Sequence, residues 1–326
     1  MQPIAHETDL DDLRRGSVVY AVICAWAQLG HFAALADGPR ALSTLNGDPR
    51  SLRAAARILG HVGLLTTDGD RWGLSSTGER MLNSGTLNLG GAADSFRVFS
   101  KLDEIFLHGG PANREDGTSL ATDGGVRDQD PDDVRRFLSM LYRRSGDSAR
   151  ETARWMAERL PEGAHVLDVG GGHGRYSEAL SEHGFSASIV DKPVCCEIAN
   201  ERYGARFATI PGNFFEVDLG GPYDGALLSN IIHGLGPDEI QRLFQRLHRV
   251  LRPGGLLVIK DMFVDPSQVN PEAAVVFAMT MLLFTPNGDS YATTEVDGWC
   301  AKSGFTPDGT VQSRDQRFAL YFARRQ

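Results

Sequence analysis

The run His165-Val166-Leu167-Asp168-Val169-Gly170-Gly171-Gly172-His173-Gly174-Arg175-Tyr176 constrains this chain more than any other stretch. Its opening residues, apolar up to an acid, predict the end of a buried strand. Four glycines in the five positions from 170 to 174 then make a turn where no side chain blocks approach to the backbone. Helical register resumes at Arg175-Tyr176-Ser177-Glu178-Ala179-Leu180. Strand, glycine turn and helix in this order let backbone N–H groups and a helix N-terminus face a nucleotide-like ligand.

Asp168, two residues before the first glycine, narrows the choice of ligand. A carboxylate there repels a pyrophosphate but favours a cationic amino group, so S-adenosylmethionine fits better than NAD. Ser186 to Asp191 predicts a second strand ending in an acid, about 20 residues beyond the turn, where a carboxylate can take two ribose hydroxyls. Arg206 onward predicts a third strand, followed by Asn213, Phe214 and Phe215, a polar residue and aromatics suited to an adenine edge and face. Tyr223 to Asn230 predicts a fourth strand, in which Ser229 falls near the adenine or the methionine end of such a ligand. Leu256 to Asp261 predicts a fifth, after a helix from Pro237 to Leu251 and the stop Arg252-Pro253-Gly254-Gly255. Each acid alone reads equally as a solvated carboxylate at a strand end. Their ordered set points to a nucleoside cofactor.

At these motifs the chain resembles the class I S-adenosylmethionine-dependent methyltransferases. More narrowly, it is similar to small-molecule O-methyltransferases with an N-terminal winged-helix dimerisation domain, including plant caffeate and hydroxyindole enzymes and bacterial relatives that decorate polyketides and phenazines. The matching residues are Asp168-Val169-Gly170-Gly171-Gly172-His173-Gly174, Asp191 with Pro193, Gly212-Asn213-Phe214-Phe215, His233, and Leu251-Arg252-Pro253-Gly254-Gly255. The resemblance covers nearly the whole chain. It implies a winged-helix dimerisation domain over 1–86, a helical connector over 87–155 that contributes to the substrate pocket, and a Rossmann-like cofactor-binding catalytic domain over 156–326.

Composition bounds the partners. A chain of 326 residues is long for one core and comfortable for two domains. Its net charge of −9 argues against nucleic acid or an anionic membrane, both of which reward a basic surface. Cys24, Cys195, Cys196 and Cys300 show no metal-ligand spacing, so no metal is expected, and a reducing cytoplasm fits. Met1 to Asp12 is acidic and carries no evident signal peptide. Val18 to Ala36 is the longest apolar run, but Gln28, Gly30 and His31 break it. A helix packed in a subunit interface explains it better than a membrane span, so a homodimer is expected.

Along the first part of the chain, Asp9 to Leu35 predicts one or two helices and Leu42 to Asp48 a short helix and turn. Pro49 opens a helix with apolar residues at helical spacing, and Leu64 to Leu74 predicts two short strands around an Asp-Gly turn. This is a winged-helix layout. DNA binding through Arg53 and Arg57 is one reading, and a regulator with a degenerate enzyme domain would follow from it. A solvated helix edge is the plainer one. In the connector, Phe96, Phe99 and Phe106, then Phe137, Met140, Leu141 and Tyr142, are core residues by default, and Gly109 to Asp132 reads as an exposed loop. From Pro161 the alternation of strand and helix predicts a doubly wound parallel sheet, with two terminal strands that the resemblance makes antiparallel.

Methyl transfer from a sulfonium needs the acceptor aligned and, for a hydroxyl, its proton removed. An imidazole, with an unperturbed pKa of about 6.5, serves a phenol as base when a carboxylate supports its charged form. His233 matches the family's base position and Asp261 a carboxylate beside it, while Phe277, Met279, Met281 and Phe284 match a region that lines an aromatic-acceptor pocket. Three residues depart from the pattern. Gly234 stands where Asp is usual, Ser290 where a second flanking Glu is usual, and Asn213 where Asp accepts from the adenine amino group. Asn can still accept through its side-chain oxygen. Of the other histidines, His173 is expected to point away from the cofactor or touch its carboxylate, and His31, His61 and His108 to be packing or surface residues. With fewer carboxylates near His233, C- or N-methylation, or a non-methylating reaction of the same cofactor, stays an alternative to O-methylation.

Overall fold

The structure is a computed structural model that describes residues 4–87, 89, 99–100, 102–113, 117, 119 and 131–326. Contacts divide the chain into two compact units, Met1–Asp103 and Glu104–Gln326.

In the first unit, α1 (Glu7–Gln28) and α2 (His31–Ala34) lead to β1 (Arg40–Ala41) and α3 (Pro49–His61). The hairpin β2 (Leu65–Asp68) and β3 (Arg71–Leu74) and the helix α4 (Ser76–Asn83) follow. Pro49 occupies the first turn of α3, and the Asp48 carboxylate caps it by accepting from Ser51 N–H at 2.8 Å. Leu52, Ala56 and Leu59, at helical spacing, are buried with Trp26, Phe32, Leu35 and Leu65 in the unit's core. Strand order β1-β3-β2 completes helix, turn, helix and wing. Outward, α1 leaves Leu10, Leu13, Val18 and Tyr20 exposed, and Leu29 just beyond it is exposed too.

The helix α5 (Leu102–His108) spans the boundary, and α6 (Pro131–Arg144) and α7 (Gly146–Ala157) follow in the second unit. Then come β4 (His165–Val169), α8 (Arg175–Glu182), β5 (Ser186–Asp191), α9 (Pro193–Tyr203), β6 (Ala208–Pro211) and β7 (Tyr223–Ser229). The chain closes with α10 (Pro237–Val250), β8 (Leu251–Asp261), α11 (Glu272–Phe284), α12 (Thr293–Lys302), β9 (Phe305–Gln312) and β10 (Ala319–Arg325). The sheet runs β6-β5-β4-β7-β8-β10-β9. Its first five strands are parallel, and β10 is antiparallel to both neighbours. One face of the sheet is covered by α10 and α12 through Ile240, Leu243, Phe244, Leu247, Val296 and Trp299. The other face is covered by α7 and α8 through Ala149, Ala153, Met156, Ala179 and Leu180. With apolar cover on both sides, β4, β5 and β7 are buried along nearly their whole length, which is why they read as continuous apolar runs.

Several expectations need correction. The third strand starts at Ala208 rather than Arg206, because Gly204–Arg206 is a 3₁₀ turn. The fifth strand begins at Leu251 rather than Leu256 and runs through the expected stop. Leu251 pairs with Tyr223 and Leu256 with Gly225, so residues 252–255 bulge out of register, helped by Gly254 at φ +74°. The aromatic residues expected in the connector's core do not all lie there. Phe99, Phe106 and Phe137 are exposed, and the buried positions are Ile105, Val134 and Leu138. Phe96 and most of the interval Gly109 to Asp132 lie outside the described residues. Among the described residues no helix is long and apolar enough to cross a membrane, and no group of three or more His, Cys, Asp or Glu could hold a metal ion.

Candidate functional site

The parallel strands all end on one edge of the sheet, and the candidate residues gather there. After β4 the chain turns through Gly170, Gly172 and Gly174 at φ +67°, +48° and +71°, the left-handed region that glycine occupies without cost. Gly170 N–H donates to the Val190 carbonyl at 2.8 Å, tying the turn to the end of β5. A Cβ on Gly170 would stand 2.2 Å from Ile231 Cδ1, so the turn is pressed against the segment that follows β7.

Asp191 ends β5 and is locked by backbone donors. Its Oδ2 accepts from Gly172 N–H at 2.7 Å and its Oδ1 from Lys192 N–H at 2.7 Å. Surrounding protein atoms raise its pKa against those hydrogen bonds, although the residue keeps some solvent exposure. Asp168 lies deeper. It is buried on β4, accepts from Ser177 Oγ at 2.7 Å, and burial pushes its pKa up to about 7. His173 is buried as well. Its Nδ1 accepts from Arg175 N–H at 3.2 Å, and burial, with Arg202 and Arg175 nearby, lowers its pKa to about 4.

Asn213 and Phe214 follow β6. Asn213 is exposed, and its Oδ1 accepts from Phe215 N–H at 2.9 Å, which leaves that oxygen a second lone pair. Phe214 is partly buried, with its ring 4.8 Å from that of Phe215. At the end of β7, Ser229 Oγ is buried and has no partner among the described residues. An orphaned hydroxyl at this edge, a carboxylate at the end of β5 and a side-chain-free turn between them fit a nucleoside with an amino-acid tail.

The other half of the site begins past β7. His233 sits in the 3₁₀ turn Ile232–Gly234. Its ring Nδ1 lies 2.7 Å from Asp261 Oδ1, and its backbone N–H donates to Asp261 Oδ2 at 3.3 Å. Asp261 is buried at the end of β8, and its Oδ1 also accepts from Met262 N–H at 2.8 Å. A carboxylate on Nδ1 makes that nitrogen the donor and leaves Nε2 as the acceptor. Phe277 of α11 stands edge-on to the imidazole at 4.8 Å, one of the four apolar residues expected in this region.

Two of the three departures from the family pattern are visible here. A Cβ on Gly234 would meet nothing within 4 Å, so the missing carboxylate leaves open space. Ser290 is buried, its Oγ without a partner among the described residues, two residues beyond Gly288, where a Cβ would strike the His233 carbonyl at 2.2 Å. Asp289 N–H donates to that carbonyl at 2.9 Å. Sequence reasoning did not find Gly288 and Asp289 as backbone supports of His233, because their only signal is a Gly-Asp pair far along the chain. It also missed Lys260 and Asn230, which meet at 2.8 Å beside the same turn.

Residues 99–306 match the family model described as an O-methyltransferase domain. The chain is 26% identical to the tetracenomycin polyketide synthesis 8-O-methyl transferase TcmO of Streptomyces glaucescens, over 94% of this chain and 94% of that protein. It is 24% identical to the N,N-dimethyltransferase OxyT of Streptomyces rimosus, over 82% of this chain and 81% of that protein. Among solved structures, the mitomycin 7-O-methyltransferase MmcR shares the fold, with a TM-score of 0.82, 21% identity, and 98% of each chain covered.

Proposed function

The chain belongs to the O-methyltransferase domain family and is an S-adenosylmethionine-dependent methyltransferase; from that premise we propose that its acceptor is a hydroxyl on an aromatic or polyketide-like metabolite, with His233 as general base. The observation that carries this reading is the 2.7 Å pairing of His233 Nδ1 with buried Asp261 at the sheet edge that bears the glycine turn. Gly170, Gly172, Asp191, Asn213, Phe214 and Ser229 hold the cofactor, and Asp168 faces its amino group from below. Bound there, the cofactor supplies an activated methyl group on a sulfonium and leaves as S-adenosylhomocysteine. Asp261 orients the imidazole and balances the charge it acquires, while Nε2 takes the proton from the acceptor hydroxyl. Phe277 walls the ring on one side and suits a flat acceptor.

The same reading assigns the winged-helix part, 1–86, to homodimer formation and 87–155 to the acceptor pocket, leaving 156–326 for chemistry. The exposed Leu10, Leu13, Val18, Tyr20 and Leu29 support a second copy as the cover for α1. The acidic charge supports an enzyme without nucleic acid or an anionic membrane as partner, and four free, buried cysteines support a reducing cytoplasm. Sedimentation of the intact protein as a monomer at micromolar concentration would remove the dimer from this proposal.

The relation to OxyT favours a second reading, in which the acceptor is an amine. Matched aromatic phenols and anilines, incubated with the enzyme and S-adenosylmethionine and read by mass spectrometry, separate the two. Methylation of phenols in preference to anilines is the expected result. Methylation of anilines alone transfers the proposal to nitrogen.

A further inference from the structure

Lys260 is a buried cation one residue before Asp261. Its ammonium donates to Asn230 Oδ1 at 2.8 Å and lies 4.0 Å from the ring centroid of Phe318 and 6.0 Å from that of Tyr176. A buried ammonium is costly unless paired, so a lysine placed here needs an explanation beyond packing. Asn230, its partner, has φ +59°, one of the few left-handed non-glycine residues described. Its backbone N–H donates to the Lys260 carbonyl at 2.8 Å, so Lys260 holds Asn230 by main chain and side chain together.

Asn230 is the hinge point of the segment that follows. The next residue, Ile231, presses on the turn at Gly170, and its carbonyl accepts from Gly234 N–H at 3.1 Å to close the turn that carries His233. The adjacent residue Asp261 then grips His233 at ring and backbone. Two consecutive residues of β8 thus fix both ends of one short segment, which touches the glycine turn at one end and the imidazole at the other. We propose that Lys260 is a positioning residue for methyl transfer, acting through Asn230 to set Ile231 against Gly170 and His233 against Asp261.

The inference rests on the reading of His233 as base, and the test separates the two. In Lys260→Met the turnover number should fall about 10- to 100-fold, the cost of a base displaced by roughly an ångström. The KM for the acceptor and the affinity for S-adenosylhomocysteine should change by less than about threefold. Asn230→Gly keeps the left-handed backbone but loses the acceptor oxygen, so it should fall by a similar factor. Asn230→Asp should recover most of that loss, and the double variant Lys260→Met/Asn230→Gly should cost no more than either single change. A Lys260→Met enzyme that melts earlier but turns over normally overturns the inference. Nitrogen NMR of the His233 ring gives a readout independent of activity. One Nδ1-protonated tautomer is expected in the parent and a mixture in Lys260→Met, and unchanged ring signals also overturn the inference. If His233→Ala keeps its turnover, the base reading fails, and the ring signals still decide whether Lys260 positions that ring.

Discussion

The two halves of the site are built by different means. On the cofactor side, the glycine turn and Asp191 are held almost wholly by backbone: Gly170 to Val190, Gly172 and Lys192 to the Asp191 carboxylate. On the proposed acceptor side, the imidazole of His233 depends on side chains brought from afar, Asp261 at the end of β8 and Phe277 on α11, and only its main chain on the backbone of Asp289. Backbone geometry tolerates many sequences as long as the glycines remain. A side-chain pair tolerates few. The first arrangement suits a ligand shared across a family, and the second suits an acceptor that changes from one enzyme to the next.

The strongest way to test that contrast is to remove one member from each half. His233→Ala should lower turnover by about 10²- to 10⁴-fold, the usual range for a positioned base, while cofactor affinity stays within about twofold. Turnover near the parent value, with a pH profile set by the acceptor, would reduce His233 to a spacer. Asp191→Ala should do the opposite. Losing two charge-assisted hydrogen bonds to the ribose, each about 1.5–3 kcal/mol, should weaken cofactor binding by about a hundredfold or more in a calorimetric titration. Turnover at saturating cofactor should change less. Unchanged affinity would dissolve the contrast from its other side.

A smaller effect concerns the two buried titratable groups on the cofactor side. The pKa of Asp168 is raised from its ordinary value to about 7, so its contribution to stability is full below about pH 4 and is lost as pH rises to about 7. The pKa of His173 is lowered to about 4, so its contribution is present above about pH 6.5 and is lost as pH falls toward 4. The two slopes oppose each other. Asp168→Asn should therefore gain stability relative to the parent between pH 4 and 7, on the order of 4 kcal/mol at most. His173→Gln should gain relative to the parent as pH falls from 6.5 to 4. Urea unfolding at several pH values measures both, and parallel curves for parent and variants would contradict the burial argument.

Much of the parallel sheet that carries the glycine turn was legible in the sequence because its signals are local. β4, β5 and β7 begin where expected, since strands covered on both faces leave unbroken apolar runs. The helix expected from Pro237 ends within a residue of its expected stop, with Ile240, Leu243, Phe244 and Leu247 on one face. The start of β8 was misread because Pro253 and two glycines announce a stop, whereas the strand absorbs them as a bulge. Phe106 and Phe137 were misread because aromatic residues at helical spacing do not say which face the core takes. Lys260, Asn230 and Gly288 were invisible for a further reason. Each acts on a partner distant in sequence, and no residue type at those positions advertises it.

The place of β10 in the sheet carries one more consequence. β8, which bears Lys260 and Asp261, lies between β7 and β10, and β10 follows every other described strand of this sheet in the chain. During synthesis β7 and β8 can pair early, but β8 keeps a bare, hydrogen-bonding edge until Ala319–Arg325 has left the ribosome. The glycine turn, formed between β4 and the helix after it and tied to β5, needs no such wait. A nascent chain would thus form the glycine turn well before the strand that carries Asp261 beneath His233 is secured. The interval between the two is when the chain is most open to wrong edge pairing.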